Sequence, residues 1–209
     1  AQGARILTVM HHNLVSHNDL FTGYTLDNSY EVKALFNELD LDLVLSGHLH
    51  VQDIRVDPFS EDPLVDIVTQ ALPMYPFQYG TLSYDPKSGF DYASTQLDIE
   101  AWAIKQGLTD EFLRHFNTKS KEFAYTASVN KASSRLRALG LYSDEQIDMM
   151  AQTMAQLNLY YFSGRSDLIR DEILASLGYR AWIKATEPEF TKDYIILMTR
   201  KSLFDNNHF

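Results

Sequence analysis

Hydrophobic positions fall into two textures along the chain. From residue 1 to about 100 they form short runs rich in Val, Ile, Leu and Tyr, broken by Gly, Pro, Asn and Asp, a pattern of strands and turns. "RILTVM", residues 5–10, predicts a first strand, and "LDLVL", residues 41–45, a second buried one. Between them Val32, Leu35, Phe36 and Leu39 recur at i, i+3, i+4 and i+7, the spacing of one helix face. Asn28 is placed to cap that helix, and Glu31 to close a capping box. Further short strands are expected at "VQDIRV", "LVDIVTQAL", "GTLSYD" and "ASTQLDI", as antiparallel hairpins extending the same sheet.

After about residue 100 the texture is helical. Residues 109–140 have helix-forming composition up to Gly140, a C-terminal glycine. The next segment, 143–164, opens on a Ser143–Gln146 capping box, carries the stripe Ile147, Met150, Met154, Leu157 and Tyr161, and ends at Gly164. Residues 166–178 and 188–204 predict two more helices, the second with Pro188 near its first turn. The expected fold class is α+β: a β-rich part over residues 1–100, then a helical bundle over residues 101–209.

Strand, helix and strand in this compass make a βαβ unit with parallel strands and a right-handed crossover. Both strands then finish on one edge of the sheet. Directly after Met10 comes "HHNLVSH", and directly after Leu45 comes "SGHLH". Neighbouring strands lie roughly 5 Å apart, so His11 comes within reach of His48 or His50. Open α/β sheets bind ligands at this edge. In an extended segment His48 and His50 face one side, and they could share one metal or hold one each of two. Gly47 suits a loop that approaches something closely.

Imidazole suits Zn, Fe and Mn, and dinuclear hydrolases use such ions on phosphoryl groups. Such a site also needs carboxylates. Asp19 and Asp53 are near in sequence, but each reads more readily as an ordinary polar or structural residue than as a ligand. His115, on a helix, and His208, at the chain end, read as surface positions. Tyr75, Phe77 and Tyr79 read either as core or as a stacking surface for a nucleobase.

Composition narrows the classes. The 209 residues are 45% hydrophobic, which fits a folded globular chain. A formal net charge of -10 without a basic stripe argues against a nucleic-acid partner. The absence of cysteine removes disulfides, thiolate nucleophiles and zinc–thiolate sites. No apolar run is long enough for a membrane span.

"VMHHNLVSHN", with "LVLSGHLHVQD" later in the chain, resembles the last two metal-binding blocks of the calcineurin-like metallophosphoesterases. In that family a histidine after a strand is succeeded by G-H-x-H. Gly47-His48-Leu49-His50 matches the final block and His11 the histidine before it. "IVTQALPMYPFQYGTLSYD" is similar to the strands that come next in bacterial members classed as cyclic nucleotide phosphodiesterases, which also carry a helical C-terminal domain.

The resemblance implies that residues 1–100 are the C-terminal half of a metallophosphoesterase β-sandwich. It implies two divalent transition-metal ions, Fe, Mn or Zn, with His11 and His48 on one and His50 on the other. Neither His12 nor His17 is a metal ligand in that pattern: His12 reads as a group that orients its neighbour and His17 as one that could reach the phosphate, each against a structural or solvent role. The implied activity is hydrolysis of a small phosphoester substrate, a cyclic nucleotide being the first candidate. The family's earlier blocks, D-x-H, G-D-x-x-D and G-N-H, do not occur in this sequence. The expectation is therefore the C-terminal portion of a longer enzyme, inactive alone, with no catalytic residue of its own and a metal site that can be empty. The alternative is a binding or regulatory module whose histidines hold one structural metal.

Overall fold

The structure, a computed structural model, describes residues 5–20, 22–57 and 63–209. It is a mixed α and β fold with eight α-helices and two small sheets among the described residues. This is compatible with the expected α+β class.

The predicted βαβ unit is present. Strand β1 (Thr8–Val9) runs parallel to β2 (Leu43–Ser46), and helix α1 (Ser29–Glu38) lies between them in sequence. Thr8 is opposite Val44 and Val9 opposite Leu45. Helix α1 buries Phe36 on Leu14, Val44 and Leu64, but Leu35 and Leu39 stay about half exposed. Asn28 takes the N-cap position without a side-chain hydrogen bond, so the expected capping box is not formed.

Strand β3 (Asp53–Val56) and β4 (Val65–Val68) pair antiparallel, as expected of a hairpin, but β4 inserts between β3 and β2. It pairs parallel with β2, giving the order β1-β2-β4-β3. The four residues of β4 are all buried, which fits a central strand better than an edge one.

Strands β5 (Gln78–Asp85) and β6 (Gly89–Gln96) form a separate two-stranded sheet, so the expected extension of the first sheet includes β3 and β4 but not this hairpin. Tyr92 of β6 instead enters the core of Leu43, Ile54, Val65 and Ile67, and its hydroxyl donates to Gln52 Oε1 at 2.9 Å. Gly80 faces that ring: a Cβ there would lie 2.5 Å from Tyr92.

The helical part begins with α2 (Ile99–Lys105), capped by Asp98, where a strand end was expected. The expected helix over 109–140 is divided at His115 (φ -127°) into α3 (Glu111–Arg114) and α4 (Phe116–Leu139), the latter closed by left-handed Gly140. Helix α5 (Asp144–Tyr161) forms the predicted Ser143–Gln146 capping box, and Ile147, Met150 and Leu157 are buried while Met154 and Tyr161 pack beside them.

The segment expected as one helix over 166–178 is a 3-10 turn (Ser166–Leu168), then α6 (Arg170–Ala175) and α7 (Leu177–Lys184), separated where Ser176 takes extended backbone and caps α7. Helix α8 (Glu189–Met198) begins directly after Pro188. Trp182 lies at the bundle centre, its indole N–H donating to the Met150 carbonyl at 2.8 Å. No helix among the described residues is long and apolar enough to cross a membrane.

The end of the chain returns to the hairpin. Tyr92 and Phe209 exchange backbone hydrogen bonds at 2.6 and 2.9 Å, and Ser94 N–H donates to the Asn207 carbonyl. His208, at the chain end, is bridged to Ala93. The Gln52 N–H donates to the Phe162 carbonyl at 2.9 Å, and its side chain reaches the Asn206 carbonyl. The helical and β-rich parts are thus joined by backbone as well as side chains.

Candidate metal centre at the strand ends

Parallel pairing continues past both strands: Met10 N–H donates to the Leu45 carbonyl at 2.9 Å, and Gly47 N–H to the His11 carbonyl at 3.1 Å. That register carries the two histidine segments to one edge. The His11 and His48 rings lie 4.7 Å apart between centroids, and His12 lies 4.6 Å from His48. Tyr24 closes the far side of His48 at 4.9 Å. It is held there by a bridge in which Asn13 N–H donates to the Tyr24 carbonyl and Leu26 N–H to the Asn13 carbonyl.

The segment 47–50 is not extended, contrary to the expectation. Leu49 N–H donates to the Gly47 carbonyl at 2.6 Å, and His48 and His50 both take left-handed backbone, φ 60° and 58°. For non-glycine residues this conformation costs about 1–3 kcal/mol each and persists only where the surroundings impose it. Gly47 needs no such freedom: a Cβ there would meet only the His11 carbonyl, at an ordinary 3.7 Å.

A buried polar network beneath the loops imposes the geometry. Asp66, fully buried in β4, accepts from Leu14 N–H at 2.6 Å, Val15 N–H at 2.9 Å and the Ser46 hydroxyl at 2.5 Å. Asn13 donates to Ser46 Oγ at 2.7 Å and the Gly47 carbonyl at 3.2 Å. One carboxylate thereby fixes the segments after both strands. A charged residue inside the apolar run "VDIV" was the sequence signal for it.

His17 belongs to this network and not to the cluster's surface. Its side chain is inaccessible, with Nδ1 2.9 Å from Asp53 Oδ2 and Nε2 3.6 Å from Asp66 Oδ1. Burial pushes its pKa down, but the bonds and charges of Asp53 and Asp66 outweigh it and raise the pKa above 6.5. Arg55 completes the group, donating to Asp53 at 2.8 Å. His48 moves the other way: desolvation and then the neighbouring His12, His11 and His50 hold its pKa below 6.5. That favours neutral imidazole, the form that binds metals.

Donor chemistry at the edge fits part of a metal site. His11 and His48 are adjacent imidazoles, His50 is exposed two residues beyond His48, and His12 flanks both. Among the described residues no carboxylate joins them. Asp53 is committed to His17 and Arg55, and Asp19 to Arg200 at 2.9 Å. Among the described residues no group of three or more His, Asp or Glu is arranged to hold an ion. Tyr75 and Phe77 line a cavity against α4, whereas Tyr79 is half exposed on the hairpin.

A family model described as the C-terminal domain of cyclic nucleotide phosphodiesterase matches residues 98–203, about half of the chain. The chain belongs to that family. No curated protein matches it. The matched cyclic nucleotide phosphodiesterase domain begins at Asp98, the cap of α2, and runs past the end of α8. The histidine cluster lies ahead of it, so family membership describes the helical part and the strand-end geometry describes the rest.

Proposed function

We propose that the chain contributes the histidine side of a metal-dependent phosphodiesterase of calcineurin-like type, acting on a small nucleotide-like diester. Residues 1–100 would be the C-terminal half of its metallophosphoesterase β-sandwich and residues 101–209 its helical domain. The observation that carries this is the His11–His48 pair at the carboxyl ends of two parallel strands. Membership of a phosphodiesterase-related family supports the reaction class.

In this reading His11 and His48 would hold one divalent transition-metal ion and His50 a second. His12 packs against both His11 and His48 and limits how their rings turn. Asn13, Ser46 and Asp66 keep the two loops in register. Such ions, when bound, polarise phosphoryl oxygens and make water nucleophilic at neutral pH. Two dications surrounded by neutral imidazoles lack charge balance, so carboxylate ligands other than Asp19 and Asp53 complete the set. His17 takes no part at the phosphate, because its side chain is sealed beneath the loop.

The test is metal content and hydrolysis of a cyclic nucleotide by the full-length gene product. Two ions per chain, with turnover lost in His48→Ala, support the reading. One ion per chain and no turnover would instead identify a binding module with a structural metal.

A further inference from the structure

The groove beside His48 is charged against the trend of the molecule. A cavity of about 310 Å³ has Tyr24 and Leu49, the neighbours of His48, in one wall, and residues of α4, α5 and α8 in the other. Its charged lining residues are Lys131 and Arg135, one turn apart on α4, and no carboxylate accompanies them. Neither makes an ion pair among the described residues, although the chain carries a net charge of -10.

A second cavity, about 630 Å³, shares Ser128, Lys131, Asn158 and Phe162 with the first. Its wall is aromatic: Phe77 lies 4.8 Å from Phe116 between centroids, Phe112 lies 5.7 Å from Phe116, and Phe123 is 74% exposed. Both volumes fall in the range of ligand pockets, roughly 300–1,000 Å³. The surface therefore runs from Tyr24 and Leu49, beside His48, past two cations without acidic partners to a cluster of rings.

We propose that α4 and α5 form the nucleoside-binding wall of the histidine site, with Lys131 and Arg135 on the anionic sugar-phosphate end and the Phe77–Phe116 cavity stacking the base. The occupant is a mononucleotide or its cyclic diester. An apolar peptide would leave both cations unmatched, and a nucleic-acid strand needs a longer basic track than two residues supply. Aromatic faces accept any base by stacking. The choice of a nucleotide rests on the phosphodiesterase reading, but the site itself can be tested without metal or turnover.

The experiment is calorimetric titration of the metal-free 209-residue chain with adenosine 5′-monophosphate, adenosine and ribose 5-phosphate. The monophosphate is expected to bind at least tenfold more tightly than either part alone. The double variant Lys131→Gln, Arg135→Gln should weaken it tenfold or more while leaving adenosine unchanged. Phe116→Leu should weaken both adenosine and the monophosphate. Both cations are exposed on α4, and circular dichroism with a urea midpoint checks that their variants fold. Lys131→Gln alone serves if the double variant does not.

Equal affinity for the monophosphate and ribose 5-phosphate, or unchanged binding in the charge variants, overturns the proposal. Nucleotide binding with this residue dependence, in a protein whose full-length form shows no hydrolysis, would sink the phosphodiesterase reading alone. Hydrolysis with no effect of Lys131 or Arg135 would sink this one alone.

Discussion

His11 and His48, 37 positions apart in sequence, bring their rings to 4.7 Å because the parallel ladder of β1 and β2 continues to the Gly47 N–H and the His11 carbonyl. Their proximity comes from backbone pairing, so it should survive changes to either ring. Replacing His11 or His48 by Ala in the full-length gene product should then abolish tight binding of Mn²⁺ or Zn²⁺ without lowering the unfolding midpoint. His12→Ala should weaken affinity by about 10–100-fold, the usual effect of a group that orients a ligand. Calorimetric titration measures both.

Asp66 holds the two loops together through three donors in a fully buried place. Asp66→Ala leaves those three donors without their acceptor and removes the carboxylate 3.6 Å from His17 Nε2. The loss should be about 3–5 kcal/mol, as for removing one partner of a buried charged group. Urea unfolding measures it, and a loss below about 1 kcal/mol would show that the network does not set the fold here.

His17 gives the stability a pH dependence of definite sign. Its folded pKa lies above 6.5, so the protonated ring between Asp53 and Asp66 stabilises the fold fully below pH 6.5. That contribution is lost as pH rises from 6.5 through the folded value. Unfolding free energy should therefore fall over this window in the wild type and fall less in His17→Gln, as followed by urea titrations at stepped pH.

Gly164 lies where the helical part meets the β-rich part. Its φ is 69°, and an added Cβ would sit 2.5 Å from the Gln52 carbonyl. Gly164→Ala should cost about 1–3 kcal/mol through steric crowding, more than a surface substitution does. Hydrogen exchange at Gln52 N–H, which donates to the Phe162 carbonyl, should rise with it.

Much of this was legible in the sequence where a local rule decides structure. The βαβ unit followed from period and length, the α5 start from Ser143 and Gln146, and the meeting of the two histidine segments from parallel topology. The failures lie where tertiary contact overrules the local rule. Leu35 and Leu39 have helix-face spacing, but among the described residues they are only half covered. The strand order put β4 between β2 and β3, where all four of its residues are buried with Asp66 among them, a choice no hairpin signal records. The left-handed His48 and His50 were not legible, since histidine visits such backbone more often than most residues but far less often than glycine. Asp66 was visible as a charge in an apolar strand, but its partners Leu14, Val15 and Ser46 come from distant segments. Lys131 and Arg135 look like solvated helix charges until α4 is set beside Tyr24 and Leu49.

The most direct measurement is nitrogen NMR of the histidine rings in the full-length gene product, labelled at histidine and titrated with Zn²⁺. Ring nitrogens of His11, His48 and His50 should shift to metal-bound positions at stoichiometric ion, while buried His17 does not move. Ring signals of His11 and His48 that stay unchanged at excess Zn²⁺ would contradict the proposed metal centre.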